Sequence, residues 1–246
     1  RKTLMRLLKV FFIFLMLLWI FIPSVNAEIL QVDTDFDGKM DQWRHMSDDG
    51  KIIKIEYDKN GDNNIDQVDI YEMRDIPVRA EWDRNFDGKM DQIQFYNSGG
   101  SLVKVEKDSK FSGKFDWNEK MGPNARISSL EVDNNQDGSM DIWKKFDEHG
   151  KLIQAKYDKN YNGTVDRWEL FDGTESLKEA QFDTNEDGIP DQFQFFTALT
   201  QLQRVEFDTN MDNKVDRWEY FNQEGDLDRV ELDRNFDGKV DMVKRK

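Results

Sequence analysis

The sequence predicts an all-β protein in which nine 25-residue repeats, each an acidic loop plus a β-hairpin, form a curled antiparallel sheet. Three observations carry this expectation. Asp recurs at 33, 58, 83, 108, 133, 158, 183, 208 and 233, each step being 25 residues, and such self-similarity marks a repeat architecture. A second Asp follows eight residues after each, at 41, 66, 91, 116, 141, 166, 191, 216 and 241. The sixteen residues between loops alternate apolar and polar with a period of two around a Gly-centred turn, the pattern of paired strands. Paired repeats forming β-propeller blades, or a stacked solenoid, are the alternative closures of the same units.

The chain opens differently. Arg1, Lys2, Arg6 and Lys9 precede thirteen unbroken apolar residues from Val10 to Ile22, and Val25-Asn26-Ala27 offers small residues for cleavage after Pro23. This order predicts a secretory signal peptide over residues 1–27. An uncleaved anchor is the alternative, against which a bilayer needs about 20 apolar residues. Residues 28–246 are then one calcium-binding β-repeat domain, exported to a periplasmic, cell-surface or secreted location. They hold 31 basic and 50 acidic residues, a net charge of −19. That balance argues against a nucleic-acid partner, which would require a basic face. The absence of cysteine excludes a disulfide scaffold, a thiolate zinc site, a cysteine enzyme and a lipidated cysteine anchor. An aromatic content of 13% argues for a folded chain.

Counting from the first Asp of each unit, positions 1, 3, 5 and 9 carry the candidate metal ligands. In chain order they are Asp33, Asp35, Asp37 and Asp41; Asp58, Asn60, Asp62 and Asp66; Asp83, Asn85, Asp87 and Asp91. After one interruption come Asp133, Asn135, Asp137 and Asp141; Asp158, Asn160, Asn162 and Asp166; Asp183, Asn185, Asp187 and Asp191. The series ends with Asp208, Asn210, Asp212 and Asp216, then Asp233, Asn235, Asp237 and Asp241. Calcium takes six to eight oxygen ligands, and oxygens at positions 1, 3 and 5 converge when the backbone turns sharply after position 5. Gly at position 6 supplies that turn through positive φ, with Asn63 and Asn213 as the tolerated substitutes. The carbonyl of position 7 and the Asp at position 9 would complete the shell. Position 8 is apolar throughout, from Met40 to Val240, and is expected to pin each loop to a core. Ordinary Asx turns favour the same residues, but a turn does not require acids at all these positions together.

This D-x-[DN]-x-D-G-x-x-D loop resembles the calcium loops of EF-hands, dockerins, thrombospondin type 3 repeats and integrin-type propeller blades, as in secreted bacterial calcium-binding repeat proteins. The resemblance implies Ca²⁺ as cofactor. Two departures limit it. No cysteines accompany the loops, and position 12 carries no consistent EF-hand Glu, being Arg44, Asp69, Gln94, Glu119, Lys144, Glu169, Gln194, Glu219 and Lys244. The loop 108–116 departs further, with Lys110 at position 3 and Ser112 at position 5, so Lys110 is expected to occupy the cation's place. The loop 158–166, with Asn160 and Asn162, is expected to bind more weakly. The strand–Gly–strand part also resembles the YD repeats of bacterial shell proteins.

Between loops, position 11 is Trp43, Val68, Ile93, Trp143, Trp168, Phe193, Trp218 or Val243 in all units but one. Positions 23 and 25 are mostly apolar, as in Ile55 and Tyr57, while 22 and 24 are mostly polar, as in Lys54 and Glu56. The expectation is a strand with one wet face, and a Trp that packs in the core instead of stacking on sugars. A Gly-centred turn within sixteen residues leaves no room for the two helices of an EF-hand. The functional expectation is a non-enzymatic, exported, calcium-stabilised repeat protein with a structural, protein-binding or surface-binding role. Alternatives are a metal-assisted hydrolase, for which the irregular unit 108–132 is the place to look, and a dockerin-like docking module. No catalytic residue is assigned.

Overall fold

A computed structural model describes residues 28–246 except Met73. The expected signal peptide, residues 1–27, lies outside the described residues. The first nine strands are β1 Ile29–Val32, β2 Gln42–Met46, β3 Ile52–Tyr57, β4 Gln67–Ile70, β5 Arg79–Trp82, β6 Gln92–Tyr96, β7 Leu102–Lys107, β8 Trp117–Met121 and β9 Ile127–Val132. The remainder are β10 Ile142–Phe146, β11 Leu152–Tyr157, β12 Arg167–Phe171, β13 Leu177–Phe182, β14 Gln192–Phe196, β15 Leu202–Phe207, β16 Arg217–Phe221, β17 Leu227–Leu232 and β18 Met242–Arg245.

Each strand pairs antiparallel with the next in the chain, giving one sheet of 18 strands that does not close. This is the curled sheet of repeated hairpins that the 25-residue period predicts, not divided into separate blades. It exceeds the roughly ten strands at which most open sheets stop. Because every unit adds two strands, all nine acidic loops fall along one end of the sheet and the hairpin turns along the other. Loops are sewn into the ladder at both ends. The position-9 N–H donates to the strand before its loop, as Asp66 to the Tyr57 carbonyl at 2.8 Å. The next unit's position-1 N–H donates to the position-9 carbonyl, as Asp83 to Asp66 at 2.8 Å.

At the far end, Gly50 (φ 79°) closes the β2–β3 turn, with a register shift at His45/Met46. The equivalent turns at Ala125, Glu175 and Thr200 place a residue with a Cβ in the same left-handed region, at roughly 1–2 kcal/mol each.

The strand register corrects the expected faces. Position 23 lies opposite position 12 (Ile55 with Arg44 and Asp69), and position 25 opposite position 10 (Tyr57 with Gln42 and Gln67). Position 11 lies opposite position 24 (Trp43 with Glu56). The Trp row therefore shares its face with the charged positions 22 and 24, away from the apolar 23 and 25. Neither face is wholly wet or wholly apolar, because each interleaves an apolar row from one strand with a polar row from its neighbour.

The tightest burial is the row Ile55, Ala80, Val105, Leu130, Ala155, Ala180 and Val205, exposed by only 0–7%. It is roofed by its flanking long side chains rather than by a second layer. On that face Arg167 and Arg217 pair with Glu169 and Glu219 while lying 5.3 Å and 5.2 Å from the ring centres of Phe182 and Phe207. On the opposite face Arg204 pairs with Glu206 at 3.0 Å and stacks on Phe195 at 4.4 Å, and Arg229 pairs with Glu231 at 2.8 Å and stacks on Tyr220 at 3.9 Å. Each such pair is worth at most about 1 kcal/mol at a partly exposed site. Their second effect is to lay methylene stems over the apolar rows. Leu130→Ala, which empties a slot in the buried row, is expected to destabilise the protein by about 2–3 kcal/mol in chemical denaturation.

Candidate metal centre

All nine loops fold alike around an inward-turned carboxylate. The position-1 Asp is buried in eight of them, with exposure of 2–6%, and Asp33 is half-buried. Its Oδ2 accepts the position-6 N–H at 2.5–2.9 Å, as from Gly38, Asn63, Gly88 and Gly238. In seven loops its Oδ1 accepts the N–H of position 4 or 5, as from Phe36 at 2.7 Å and Gly61 at 2.8 Å, whereas Asp133 Oδ1 has no partner. Two left-handed residues make this possible. Position 6 has φ of 67–100°, as its Gly and Asn predict. Position 4 has φ of 55–64° at eight residues with side chains, among them Phe36, Phe86, Tyr161 and Phe236. Residue type does not signal the second requirement, since Phe, Gln, Tyr, Glu and Met all occupy position 4.

The remaining ligand positions divide. At position 5, Oδ1 accepts the position-7 N–H at 2.7–3.0 Å in eight loops. Position 3 turns its Oδ1 to the position-5 N–H, as Asp35 to Asp37 at 3.1 Å and Asn60 to Asp62 at 2.9 Å. In five loops the position-3 Asn amide also donates to the position-5 carboxylate, at 2.7–3.4 Å. Asp33, Asp35 and Asp37 bring carboxylate oxygens within 4.8 Å of one another, an acidic group able to hold a metal. An open cleft of about 600 Å³ separates this loop from the next, lined by Asp35, Asp37, Asp41, Asp58 and Asn60.

Position 9, expected as a ligand, also closes the loop. Its carboxylate accepts the position-2 N–H in every loop at 2.6–3.0 Å, and Asp41 also accepts the Thr34 hydroxyl at 2.8 Å. Asp41 stands outside the group formed by Asp33, Asp35 and Asp37. Position 8, expected in a core, is only half-buried, and Met40, Phe115 and Val240 are exposed.

Lys110 is not in its own loop's cation position either. Its ammonium reaches the Asn134 carbonyl of the following loop at 2.7 Å, and Lys114 reaches the Gln136 carbonyl at 2.7 Å. Gln136 returns a bond to Asp116 at 3.0 Å, and Arg84 reaches forward to the Asp108 carbonyl at 3.0 Å with its guanidinium over Phe111 at 5.1 Å.

The donor set suits a hard divalent cation. Asp133 Oδ1, at a position-1 site, and Asp66 Oδ1 are buried carboxylate oxygens with no hydrogen-bond partner. Leaving such an oxygen unpaired is costly unless a cation or donor meets it. The loops also hold charge where it is needed. The Asn64 N–H, then the Asn60 amide, keep the Asp62 carboxyl below its ordinary value, and the Asn135 amide, then the Ser139 N–H, do so for Asp137. For Asp108 burial works to raise the value, and the backbone N–H groups of Ser112, Gly113 and Lys110 outweigh it.

No protein family matches the chain, and no curated protein does. The crystal structure of accessory secretory proteins 1, 2 and 3 of Streptococcus pneumoniae aligns over 53% of this chain and 21% of that one, with 14% identity and a TM-score of 0.31. The crystal structures of TcdB2-TccC3-TEV and TcdB2-TccC3 align over 82% and 86% of this chain and 12% and 14% of theirs. Their identities are 12% and 11%, and both TM-scores are 0.22. The chain thus spans about a fifth or less of these structures, and likeness at this level bears on neither fold nor function.

Two outcomes follow from the loop geometry. Asp183→Ala strands the Asp187 and Gly188 N–H groups and is expected to cost about 2–3 kcal/mol even in chelator, whereas the outward Asp187→Ala costs far less. In chelator, the contribution of Asp62, Asp108 and Asp137 is fully present above the ordinary carboxylate value of 3.8 and is lost as pH falls through their lower folded values. Denaturation midpoints should therefore drop as pH falls below about 4.

Proposed function

We propose that the protein is an exported, calcium-stabilised repeat scaffold without enzymatic activity, acting in a structural or surface-binding role. The observation that carries this reading is the buried, unpartnered Asp133 Oδ1 within an acidic loop that recurs along one sheet end. Positions 1, 3 and 5 would hold the ion, with the carbonyl of position 7, and position 9 would keep the loop closed around it. Eight loops carry this donor set. The ninth, 108–116, has lysine ties to its neighbour in place of acids at positions 3 and 5.

The physical case is electrostatic. Carboxylates gathered without a cation repel one another, so binding and folding are coupled. Eight calcium ions would bring residues 28–246 from −19 to −3. With no disulfides, the ions would serve as the crosslinks of the array. Affinity belongs with extracellular modules, roughly 10⁻⁴–10⁻³ M. Against catalysis, the acids repeat as near-equivalent loops instead of forming one distinct site.

Calorimetric titration should count eight ions, and millimolar calcium should raise the melting temperature seen by circular dichroism above that in EDTA. The triple variant D33N/D35N/D37N should bind seven and K110D/S112D nine. Identical melts in both buffers, with no calcium uptake, would sink the reading.

A further inference from the structure

The exposed apolar side chains of this protein gather where the acids are. Of the eighteen large apolar residues exposed among the described residues, ten lie in the nine loops, on one end of the sheet. Phe111 and Tyr161 are engaged with the preceding loop, through Arg84 and Asn134. Of the eight that remain, Phe36, Phe86, Met211 and Phe236 are exposed by 90%, 49%, 46% and 46%, with Met40, Phe115, Ile189 and Val240 beside them.

Phe36, Phe86, Met211 and Phe236 all sit at position 4, in the left-handed backbone region. Gly61 fills the same position without strain, so the fold does not demand a large side chain there. Apolar bulk held outward at a conformational cost, along one edge, points to a surface that receives it.

The geometry points to a calcium-dependent docking edge for an anionic phospholipid bilayer, a reading that rests on calcium occupying the loops. The nine loops carry 27 acidic and 10 basic residues, a net −17 that repels an anionic surface. Eight calcium ions reduce this to −1 and leave positive centres at the loops. Calcium takes six to eight oxygens, and positions 1, 3, 5 and 7 supply four, with one oxygen of position 9 already spent on the position-2 N–H, so the shell has room for oxygens from outside. Headgroup phosphate oxygens complete the shell, while the position-4 rings enter the interfacial layer as amphipathic anchors do. Lys39, Lys89, Lys214 and Lys239, at position 7, add favourable charge toward the same headgroups.

The test is sedimentation of the full chain with phosphatidylglycerol-containing vesicles, in calcium and in EDTA, with pure phosphatidylcholine as reference. Because Val10–Ile22 is apolar enough to insert by itself, the readout is the calcium-reversible bound fraction. Binding to anionic vesicles in calcium, released by EDTA, is expected. The variant F36N/F86N/F236N should bind at least about tenfold more weakly. Its melting temperature in calcium should be unchanged or higher, because Asn tolerates the left-handed region. A fall in melting temperature would assign the rings to packing and overturn the proposal. Calcium uptake and thermal stabilisation without vesicle binding would also overturn it while leaving the calcium scaffold standing. Equal binding to neutral vesicles, or calcium-driven self-association alone, would likewise overturn it. Loss of calcium uptake would remove both readings.

Discussion

The buried carboxylate at position 1 is the interaction on which the rest of the structure depends. It turns the loop backbone inside out, so that N–H groups which would face water point at one side chain instead. Asp183 accepts from both Asp187 and Gly188, and Asp233 from both Asp237 and Gly238. Charge-assisted bonds of this kind are worth roughly 1.5–3 kcal/mol. That offsets a left-handed residue at position 4, which costs roughly 1–2 kcal/mol when it bears a Cβ. With the inner face of the loop committed to position 1, the carboxylates of positions 3 and 5 have only the outside left to them.

Those loops matter because, among the described residues, the sheet has no second layer to fall back on. An ordinary sheet buries one face against a neighbouring element. Here each face is covered by its own side chains, with Arg217 lying between Glu219 and Phe207 and Arg229 between Glu231 and Tyr220. Each unit touches only the units beside it, so stability accumulates unit by unit. An end that splays has nothing behind it. Holding both ends of every hairpin, by a Gly turn on one side and a carboxylate loop on the other, substitutes for the missing layer.

Much of this was legible in the sequence, and the part that was not has a physical reason. The 25-residue spacing of Asp and the Gly-centred turns led to the number, order and pairing of the strands. The period of two led to strands but not to faces. Ile55 and Trp43 are both apolar, yet the turn length and the bulge at His45/Met46 set a register that sends them to opposite sides. Register is a property of two strands together, and one unit's alternation does not carry it. Position 4 is silent because its conformation is imposed by the position-1 carboxylate three residues earlier and not by its own side chain. Residue type marks position 9 as a ligand, but not that one of its oxygens also closes the loop on the position-2 N–H while the other is free, as at Asp66.

Lys110 shows how the array tolerates an exception. Charge reasoning placed its ammonium inside the loop that lacks acids, at the site a cation would fill. A loop with Ser112 at position 5 offers little negative charge to hold it, and the carbonyls of the next loop are a better acceptor set. Arg84, Lys110, Lys114 and Gln136 thereby tie three consecutive loops together with the chain's own groups, and Asn134 extends the tie to Tyr161. The first loop, with four acids and only Lys39 among its nine residues, has no comparable neutralisation. The middle of the row is thus tied loop to loop by the chain's own polar groups, and under the calcium reading the first loop would rely on a cation from solution.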